Sequence, residues 1–281
     1  MEKTILKERK KTQTGRTGNC FQLKRLVVFL LIGCAVNSYA QYDGKDVRTC
    51  PESYFLKIED VASSLELLPA PPERGSTHFK YDEERYVWGK KQRNTPRGDQ
   101  ATADAYVGGG GVPAAFSAAF GIKISKEQTP EIYLLVLKMR EDAGDLACRV
   151  AKRHYMRVRP FIYYNEDTCY PAHQKELSTN GSYPSGHTAI GWATALVLAE
   201  INVDRQNEIL MRGFEMGESR VICGYHFQSD VDAARIVASA VVARLHADKG
   251  FTKQLAKAKK EFKRLMKQGK VALSTRSNKL H

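Results

Sequence analysis

The strongest constraint on the fold of this 281-residue chain is a set of three polar segments that lie far apart in sequence. They read K-x6-R-P at Lys152, Arg159 and Pro160, P-S-G-H from Pro184 to His187, and S-R-x5-H-x3-D at Ser219, Arg220, His226 and Asp230. Together they supply three cations, two imidazoles and one carboxylate, a set suited to holding and reacting with one small anion. We therefore expect the fold to bring these segments together around one pocket.

Local features of the same segments fit an anion site. Lys152 and Arg159 are seven residues apart, about two helical turns, so we expect both to project from one face of a helix that Pro160 closes. Gly186 precedes an apolar run, 188–201, that is typical of a buried helix. The free N–H groups at such a helix start bind anions. The sequence therefore predicts a phosphate-sized pocket that contains two imidazoles.

These residues resemble the signature of the class A bacterial non-specific acid phosphatases, in the phosphatidic-acid-phosphatase type 2 and vanadium haloperoxidase superfamily. The likeness extends from about Leu67 to the basic tail, and it includes Gly181-Ser182-Tyr183 and the stretch 218–232. One small departure is Phe227, where many relatives carry tryptophan. The resemblance implies an all-α, single-domain helical bundle. The absence of any alternating strand run of useful length points the same way.

The resemblance also implies a role for each site residue. His226 would attack phosphorus and form a phosphohistidine, Asp230 would fix its tautomer, and His187 would be the general acid and base. The remaining site residues would hold the phosphoryl oxygens: Lys152, Arg159, Ser185, Gly186 and Arg220. We expect no metal and no cofactor. Expected substrates are small phosphomonoesters such as nucleotides, sugar phosphates and aryl phosphates, with no nucleic-acid partner; homo-oligomerisation is left open.

Alternatives from other classes remain. A vanadate-dependent haloperoxidase would use the same pocket, with His226 as the vanadate ligand. A lipid phosphatase of the membrane would need several spanning segments, and the sequence has no apolar run of the ~20 residues required. A binding module that only holds an anion would not need His226 and Asp230 at this spacing. A serine hydrolase is disfavoured because Ser185 lies in no G-x-S-x-G motif.

The net charge of +13 resembles that of a nucleic-acid-binding protein, but its distribution does not. Residues 1–25 carry +6 and residues 249–281 carry +10, and subtracting these from +13 leaves −3 for residues 26–248. The body is therefore slightly acidic. In the tail, apolar residues recur from Phe251 to Leu265 at steps of three and four, which predicts an amphipathic helix with a lysine-rich outer face.

The first 40 residues have the form of a signal peptide. A basic region ends at Lys24-Arg25, the apolar run 26–36 follows, and Ser38-Tyr39-Ala40 supplies a cleavage site before Gln41. We therefore expect a periplasmic or secreted protein. The alternative is a lipoprotein anchored at Cys34, because Leu31-Ile32-Gly33-Cys34 resembles a lipoprotein box.

Export predicts an oxidising environment for the four remaining cysteines: Cys50, Cys148, Cys169 and Cys223. Four cysteines allow three complete pairings, among which the sequence does not choose. No C-x-x-C spacing suggests zinc. One or two structural disulfides are the expectation.

Helical periodicity divides the rest of the chain. We expect a buried-face helix over about 20 residues from Pro130, a helix over 205–217 ending at glycine, and another over 231–246. The irregular stretch 161–183 is either a substrate rim or a loop pinned by a disulfide at Cys169. The expected organisation is a signal peptide (1–40), an N-terminal arm (41–72), a catalytic helical domain (73–248) and a basic helix with a tail (249–281).

Overall fold

The computed structural model describes residues 54–108 and 110–274, and every regular element in those ranges is helical. The α-helices are α1 (Ser64–Leu67), α2 (Thr77–Gln92), α3 (Pro96–Ala103), α4 (Gly111–Phe120), α5 (Pro130–Glu141), α6 (Arg149–Tyr155), α7 (Pro160–Tyr163), α8 (Gln174–Leu177), α9 (Gly186–Ile201), α10 (Gln206–Ile222), α11 (Gln228–Leu245) and α12 (Lys249–Lys267). Short 3-10 segments lie at Ile58–Asp60, Pro171–His173 and Val203–Arg205. The predicted all-α class is confirmed.

Helix α9 is the centre of the bundle. Ala189, Ala193, Val197 and Leu198 are fully buried, and the helix packs mainly against α10 and α11. A near-continuous apolar sequence folds this way because every face of the helix meets another element.

Two glycines set how closely α9 and α10 approach. A Cβ added to Gly213 would lie 2.4 Å from the Cβ of Ala195, and one added to Gly191 would lie 2.9 Å from the Cβ of Met216. These two pairings run in opposite directions, so the helices are antiparallel. The start of α9 therefore lies beside the end of α10, which brings the P-S-G-H segment next to Arg220.

The start of α11 joins the same corner of the bundle. The backbone N–H of Ser185 donates to the carbonyl of Asp230 at 3.0 Å, which ties the first turns of α9 and α11 together. Two of the three polar segments thus meet at one point of the fold.

The predicted long helix from Pro130 is interrupted. Helix α5 ends at Glu141, a π-helical segment follows over Asp142–Leu146, and α6 begins at Arg149. At the start of this segment, the Asp142 carboxylate accepts the N–H groups of Phe55 and Leu56. One extra residue per turn re-aims side chains on both sides of such a segment. Sequence periodicity alone does not reveal it.

Two other local predictions were wrong. Lys152 and Arg159 do not share a helix: α6 ends at Tyr155, Met156 takes a left-handed conformation with φ 40°, and Arg159 is extended at the start of α7. Pro160 therefore begins a helix rather than closing one, because a proline ring fits the first helical position. In addition, α10 continues past Gly217 to Ile222, because Gly217 faces close neighbours from Thr188 and Val231 rather than forming a cap.

Within the described residues, the cysteines form one disulfide bond. Cys169 is bonded to Cys223, and Cys148 is a buried free thiol; Cys34 and Cys50 lie outside the described residues, as does the predicted signal peptide. The bridge pins the stretch 161–183, which carries α7, α8 and a 3-10 turn rather than being wholly irregular.

The tail helix is confirmed as α12. Its apolar side, including Phe251, Leu255 and Phe262, is buried and packs mainly on α5. Within residues 54–108 and 110–274, none of the helices has the length and hydropathy needed to span a bilayer.

Candidate active site

His226 lies at the centre of the site, and its two ring nitrogens have different partners. Nε2 is 3.1 Å from Nη1 of Arg159, and a guanidinium can only donate, so Nε2 accepts. Nδ1 is 3.2 Å from Oγ of Ser182 and 3.4 Å from Oδ2 of Asp230. These contacts select the neutral tautomer with the proton on Nδ1 and a lone pair on Nε2.

Asp230 is a fully buried carboxylate with a donor at each oxygen. Oδ1 accepts from Nη1 of Arg157 at 2.5 Å. Oδ2 accepts from the Ser182 hydroxyl at 2.5 Å and from the backbone N–H of Phe227 at 2.8 Å. Burial alone would raise the pKa of Asp230, but Arg157, His226 and Ser182 together hold that pKa well below its usual range. These contacts therefore favour the charged form of the side chain.

Arg159 is buried and fixed by backbone carbonyls. Its Nε donates to the carbonyls of Leu177 and Asn180 at 2.9 and 3.0 Å, and Nη1 donates to that of Tyr225 at 3.2 Å. These bonds hold the guanidinium plane against His226. The sequence predicted a helix to do this, whereas the structure uses a loop that wraps around the side chain.

Lys152 and Arg220 add two further buried cations. Nζ of Lys152 donates to the carbonyl of Gly181 at 2.8 Å. Burial, followed by the nearby charge of Arg159, lowers the pKa of Lys152 to about 7. Arg220 is 1% exposed, and its guanidinium stacks on the ring of Tyr225 at 4.1 Å. A pocket that crowds three cations in this way favours a bound anion.

Ser185 and Gly186 form the start of α9. The Ser185 side chain is the N-cap, with Oγ accepting from the N–H of Thr188 at 3.3 Å and from the Thr188 hydroxyl at 2.9 Å. Gly186 is the first residue of the helix. The predicted helix start is therefore confirmed, and its dipole favours negative charge at this corner of the bundle.

His187 follows on the first turn of α9. Its Nε2 lies 3.2 Å from the carbonyl oxygen of Ala105, so Nε2 carries a proton and Nδ1 is the other titrating position. Burial, then Arg220 and His226, holds the pKa of His187 well below its usual range. Burial and Arg159 act in the same direction on His226. Both shifts favour the neutral form of the imidazole.

Several residues around the site have no signal in the sequence pattern. Ser182 and Arg157 bond Asp230, and Asp82 on α2 bonds Arg157 at 2.8 Å. Ser182 stands in the Gly-Ser-Tyr text that the resemblance includes, but its role follows only from geometry. Asp82 lies 75 residues before Arg157, so no local spacing could have found it.

The Ser219 position of the third segment supports the site rather than lining it. Its hydroxyl donates to the Asp104 carboxylate at 2.7 Å, and Asp104 is also bonded by Arg212. Asp104 immediately precedes Ala105, whose carbonyl meets His187. This network therefore fixes the backbone that orients the second histidine.

A third histidine lies near the pocket. His173 contacts the ring of Tyr170 at 4.7 Å between centroids, and burial and the charge of Arg220 lower its pKa. The hydroxyl of Tyr225 donates to the carbonyl of Tyr170 at 2.6 Å. His173 lies outside the three polar segments, so the sequence pattern does not single it out.

All eight residues predicted for the site thus surround one buried corner of the bundle, through direct contacts or shared neighbours. The corner offers an imidazole nitrogen that carries a lone pair, a second imidazole, three cations and a helix start. Such a set can hold a tetrahedral oxyanion and transfer it to nitrogen. Within the described residues, no cluster of three or more histidine, cysteine, aspartate or glutamate side chains is arranged for a metal ion.

Comparison with known proteins shows the family to which the chain belongs. Residues 133–251 match the model of the PAP2 superfamily. The chain is 55% identical over 248 residues to a non-specific acid phosphatase of Providencia stuartii, covering 87% of this chain and 100% of that one. It is 43% identical over 207 residues to a non-specific acid phosphatase of Salmonella typhimurium, covering 74% and 83%. An acid phosphatase of Zymomonas mobilis is 35% identical over 198 residues, covering 70% and 74%. The chain therefore belongs to the PAP2 superfamily and, within it, to the class A bacterial non-specific acid phosphatases.

Proposed function

We propose that this protein is an acid phosphatase that hydrolyses small phosphomonoesters through a phosphohistidine at His226. The names of the relatives support the reaction class. One observation carries the mechanism: Nε2 of His226 accepts from Arg159 at 3.1 Å while Nδ1 faces Ser182 and Asp230. Only this tautomer has its lone pair on the nitrogen beside the cations that would hold the phosphoryl group.

The first half-reaction forms a bond between Nε2 and phosphorus and breaks the bond from phosphorus to the leaving oxygen. His187 donates a proton to that oxygen, so that an alcohol departs instead of an alkoxide. The charge that develops on the His226 ring is countered by Asp230 through the Nδ1 side. In the second half-reaction His187 removes a proton from water, whose oxygen bonds to phosphorus while the bond from Nε2 to phosphorus breaks. Inorganic phosphate leaves, and the lone pair returns to Nε2 of His226.

The protonation of His187 depends on the bound substrate. Burial and Arg220 hold the pKa of His187 low. A bound phosphoryl group brings negative charge that offsets Arg220, which raises that pKa and favours the acid form. Substrate binding thus favours protonation of His187, the proposed general acid. A lower pH increases the protonated fraction further.

The protein supplies the positive charge that phosphoryl transfer needs. Lys152, Arg159 and Arg220 lie in the pocket with the N-terminus of α9, and we propose that they act without a metal ion. Activity should then survive extensive dialysis against EDTA. A loss that a divalent ion restores would refute this part of the proposal.

We also propose that the protein is exported, with cleavage after Ala40. The support is the basic and apolar pattern of residues 1–40. Mass spectrometry of the protein from the native cell envelope should give Gln41 as the first residue. A diacylglyceryl mass on Cys34 would identify a lipoprotein instead.

A partition experiment tests the mechanism. If a common phosphoenzyme forms, hydrolysis in the presence of glycerol should divide the phosphoryl group between water and glycerol in one ratio, whatever the leaving group. Phenyl phosphate, a nucleoside 5′-phosphate and glucose 6-phosphate provide three different leaving groups. Ratios that differ among them would exclude the shared intermediate, and no turnover of any of them would exclude the activity.

A further inference from the structure

Arg157 lies between two carboxylates that are both fully buried. Its Nη1 donates to Oδ1 of Asp230 at 2.5 Å and its Nη2 donates to Oδ2 of Asp82 at 2.8 Å, while the Arg157 side chain itself is 9% exposed. The guanidinium also stacks on the ring of Phe227 at 4.5 Å. Arg157 is not one of the specified positions of the three polar segments, since it falls among the six spacer residues between Lys152 and Arg159.

Asp82 is held in turn by the first turn of α11. Its Oδ1 accepts from the backbone N–H of Ser229 at 2.8 Å, and its Oδ2 accepts from the Ser229 hydroxyl at 2.6 Å. The same hydroxyl accepts from Nη1 of Arg157 at 2.8 Å. Helix α2, the loop after α6 and the start of α11 are thus joined in one closed network.

We propose that Arg157, held by Asp82, is a positioning residue for phosphoryl transfer, which orients Asp230 towards His226. The inference rests on the proposed function of His226. A carboxylate next to an imidazole can rotate and present either oxygen. Arg157 occupies Oδ1, so Oδ2 alone is left for the contacts with Ser182, Phe227 and His226. A planar, forked guanidinium suits this task better than a flexible ammonium.

The network also has a useful charge. One guanidinium between two carboxylates leaves a net negative charge, and His226 gains positive character when Nε2 is phosphorylated. Asp230 is the nearer carboxylate, and Asp82 keeps Arg157 from neutralising it completely. The other groups that act on Asp230 are the Ser182 hydroxyl, the Lys152 ammonium, the His226 ring and the Tyr183 phenol.

Four variants separate this role from a structural one. Arg157→Gln removes the charge and the fork, Arg157→Lys restores the charge alone, and Asp82→Asn removes only the outer carboxylate. Arg149→Gln is the matched control, because Arg149 is also a buried arginine in an ion pair, with Asp145, and is not part of the network around Asp230. Each variant is assayed with an aryl phosphate across the pH range, together with thermal unfolding.

In Arg157→Gln, kcat should fall by about 10–100-fold, the range typical when an outer partner that orients a histidine is lost. KM should change little, because the cations that hold the phosphoryl group remain. The acid limb of the pH profile should move to higher pH, since without Arg157 the buried Asp230 is protonated more easily. Arg157→Lys should return the acid limb most of the way while kcat recovers only in part.

Asp82→Asn should lower kcat at unchanged KM without moving the acid limb upward, because the charge of Arg157 is then undivided. Arg149→Gln should lower the melting temperature and leave both kcat and the acid limb unchanged. If Arg157→Gln fails to fold, the Lys and Asn variants still decide the matter.

The proposal is overturned if the Arg157 and Asp82 variants lose only thermal stability, like the control, with kcat and pH profile as in the parent protein. That result would leave the phosphatase proposal standing. Failure of the parent protein to form a phosphoenzyme would instead count against the proposed function.

Discussion

The hydroxyl of Ser182 lies 2.5 Å from Oδ2 of Asp230 and 3.2 Å from Nδ1 of His226. The direct distance from Nδ1 to Oδ2 is longer, at 3.4 Å. Since the hydroxyl donates to the carboxylate, its oxygen accepts from the Nδ1–H group. His226 and Asp230 are therefore linked both directly and through Ser182. The link through Ser182 can be tested by mutating the serine.

Replacing Ser182 by alanine should reduce both activity and stability. A hydrogen bond to a charged group contributes about 1.5–3 kcal/mol, and Asp230 keeps its bonds to Phe227 and Arg157. We expect the free energy of unfolding to decrease by an amount in that range. We also expect kcat to fall with little change in KM. Urea denaturation and steady-state kinetics measure both. Ser117→Ala is the control, because the Ser117 hydroxyl accepts from the backbone N–H of Ile124 and not from a site residue. This variant should lose stability and keep the parental kcat. A Ser182→Ala variant with parental kcat would show that the serine link is dispensable.

Lys152 should make anion binding depend on pH near neutrality. Burial and Arg159 lower its pKa to about 7, so in the empty pocket the amine is charged below that pH and neutral above it. A bound anion favours the charged form, which means that binding above pH ~7 requires proton uptake and becomes weaker as pH rises. The decline should approach tenfold per pH unit. Sulfate is a suitable probe because its own charge does not change in this range.

Calorimetry of sulfate binding in buffers of different ionisation enthalpy would measure the proton uptake directly. Lys152→Met should bind sulfate more weakly and lose this pH dependence. Without bound anion, burial holds the pKa values of His187 and His226 well below their usual range. Any proton uptake that sulfate induces at His187 would remain in Lys152→Met, so the difference between parent and variant isolates Lys152. An affinity that stays constant between about pH 6 and pH 9 would contradict the assignment of Lys152.

The loss of activity in His187→Ala should depend on the leaving group of the substrate. General acid catalysis contributes about 10²–10⁴-fold, and it matters least when the departing oxygen needs little protonation. His187→Ala should therefore still form a phosphoenzyme from an aryl phosphate with an acidic phenol, whereas an alkyl phosphate should barely react. Hydrolysis of the intermediate should also be slow, because in the proposed mechanism the same imidazole activates water. Equal losses for the two substrates in rapid-quench experiments would mean that His187 has another role.

The disulfide between Cys169 and Cys223 should stabilise the fold and the wall of the pocket. It closes a loop with a sequence separation of 54, for which chain entropy predicts about 4 kcal/mol of stabilisation. A Cys169→Ala, Cys223→Ala double variant should unfold at lower urea concentration. A double variant with unchanged stability would show that other contacts hold the segment.

Cys148 is buried, and burial raises the pKa of its thiol to about 12, so it should not react with alkylating agents in the folded protein.

The sequence predicted the all-α class, because helical periodicity recurs along the chain and no alternating strand run does. It also proposed a set of site residues that the fold brings together, because the three polar segments stand out against apolar helices. It predicted the helix over 188–201 well, since that run is buried on every face. It misplaced Arg159 because the left-handed turn at Met156 leaves no mark on a spacing of seven residues. It could not reveal Asp82 or Arg157 either, since their meeting depends on how α2 packs against α11. Contacts of that kind are set by tertiary structure, not by local pattern.

The chemical form of the intermediate tests the central claim most directly. Arg159 contacts Nε2 of His226, and Asp230 and Ser182 hold Nδ1, so the proposed mechanism requires phosphorylation at Nε2. The His187→Ala variant, in which the intermediate should accumulate, can be mixed with an aryl phosphate and unfolded in alkali, which preserves phosphohistidine. Peptide mass spectrometry then locates the label, and ³¹P NMR distinguishes the two ring isomers. The account predicts one phosphoryl group on His226, bonded to Nε2. A label on Nδ1, on another residue, or no label at all would contradict it.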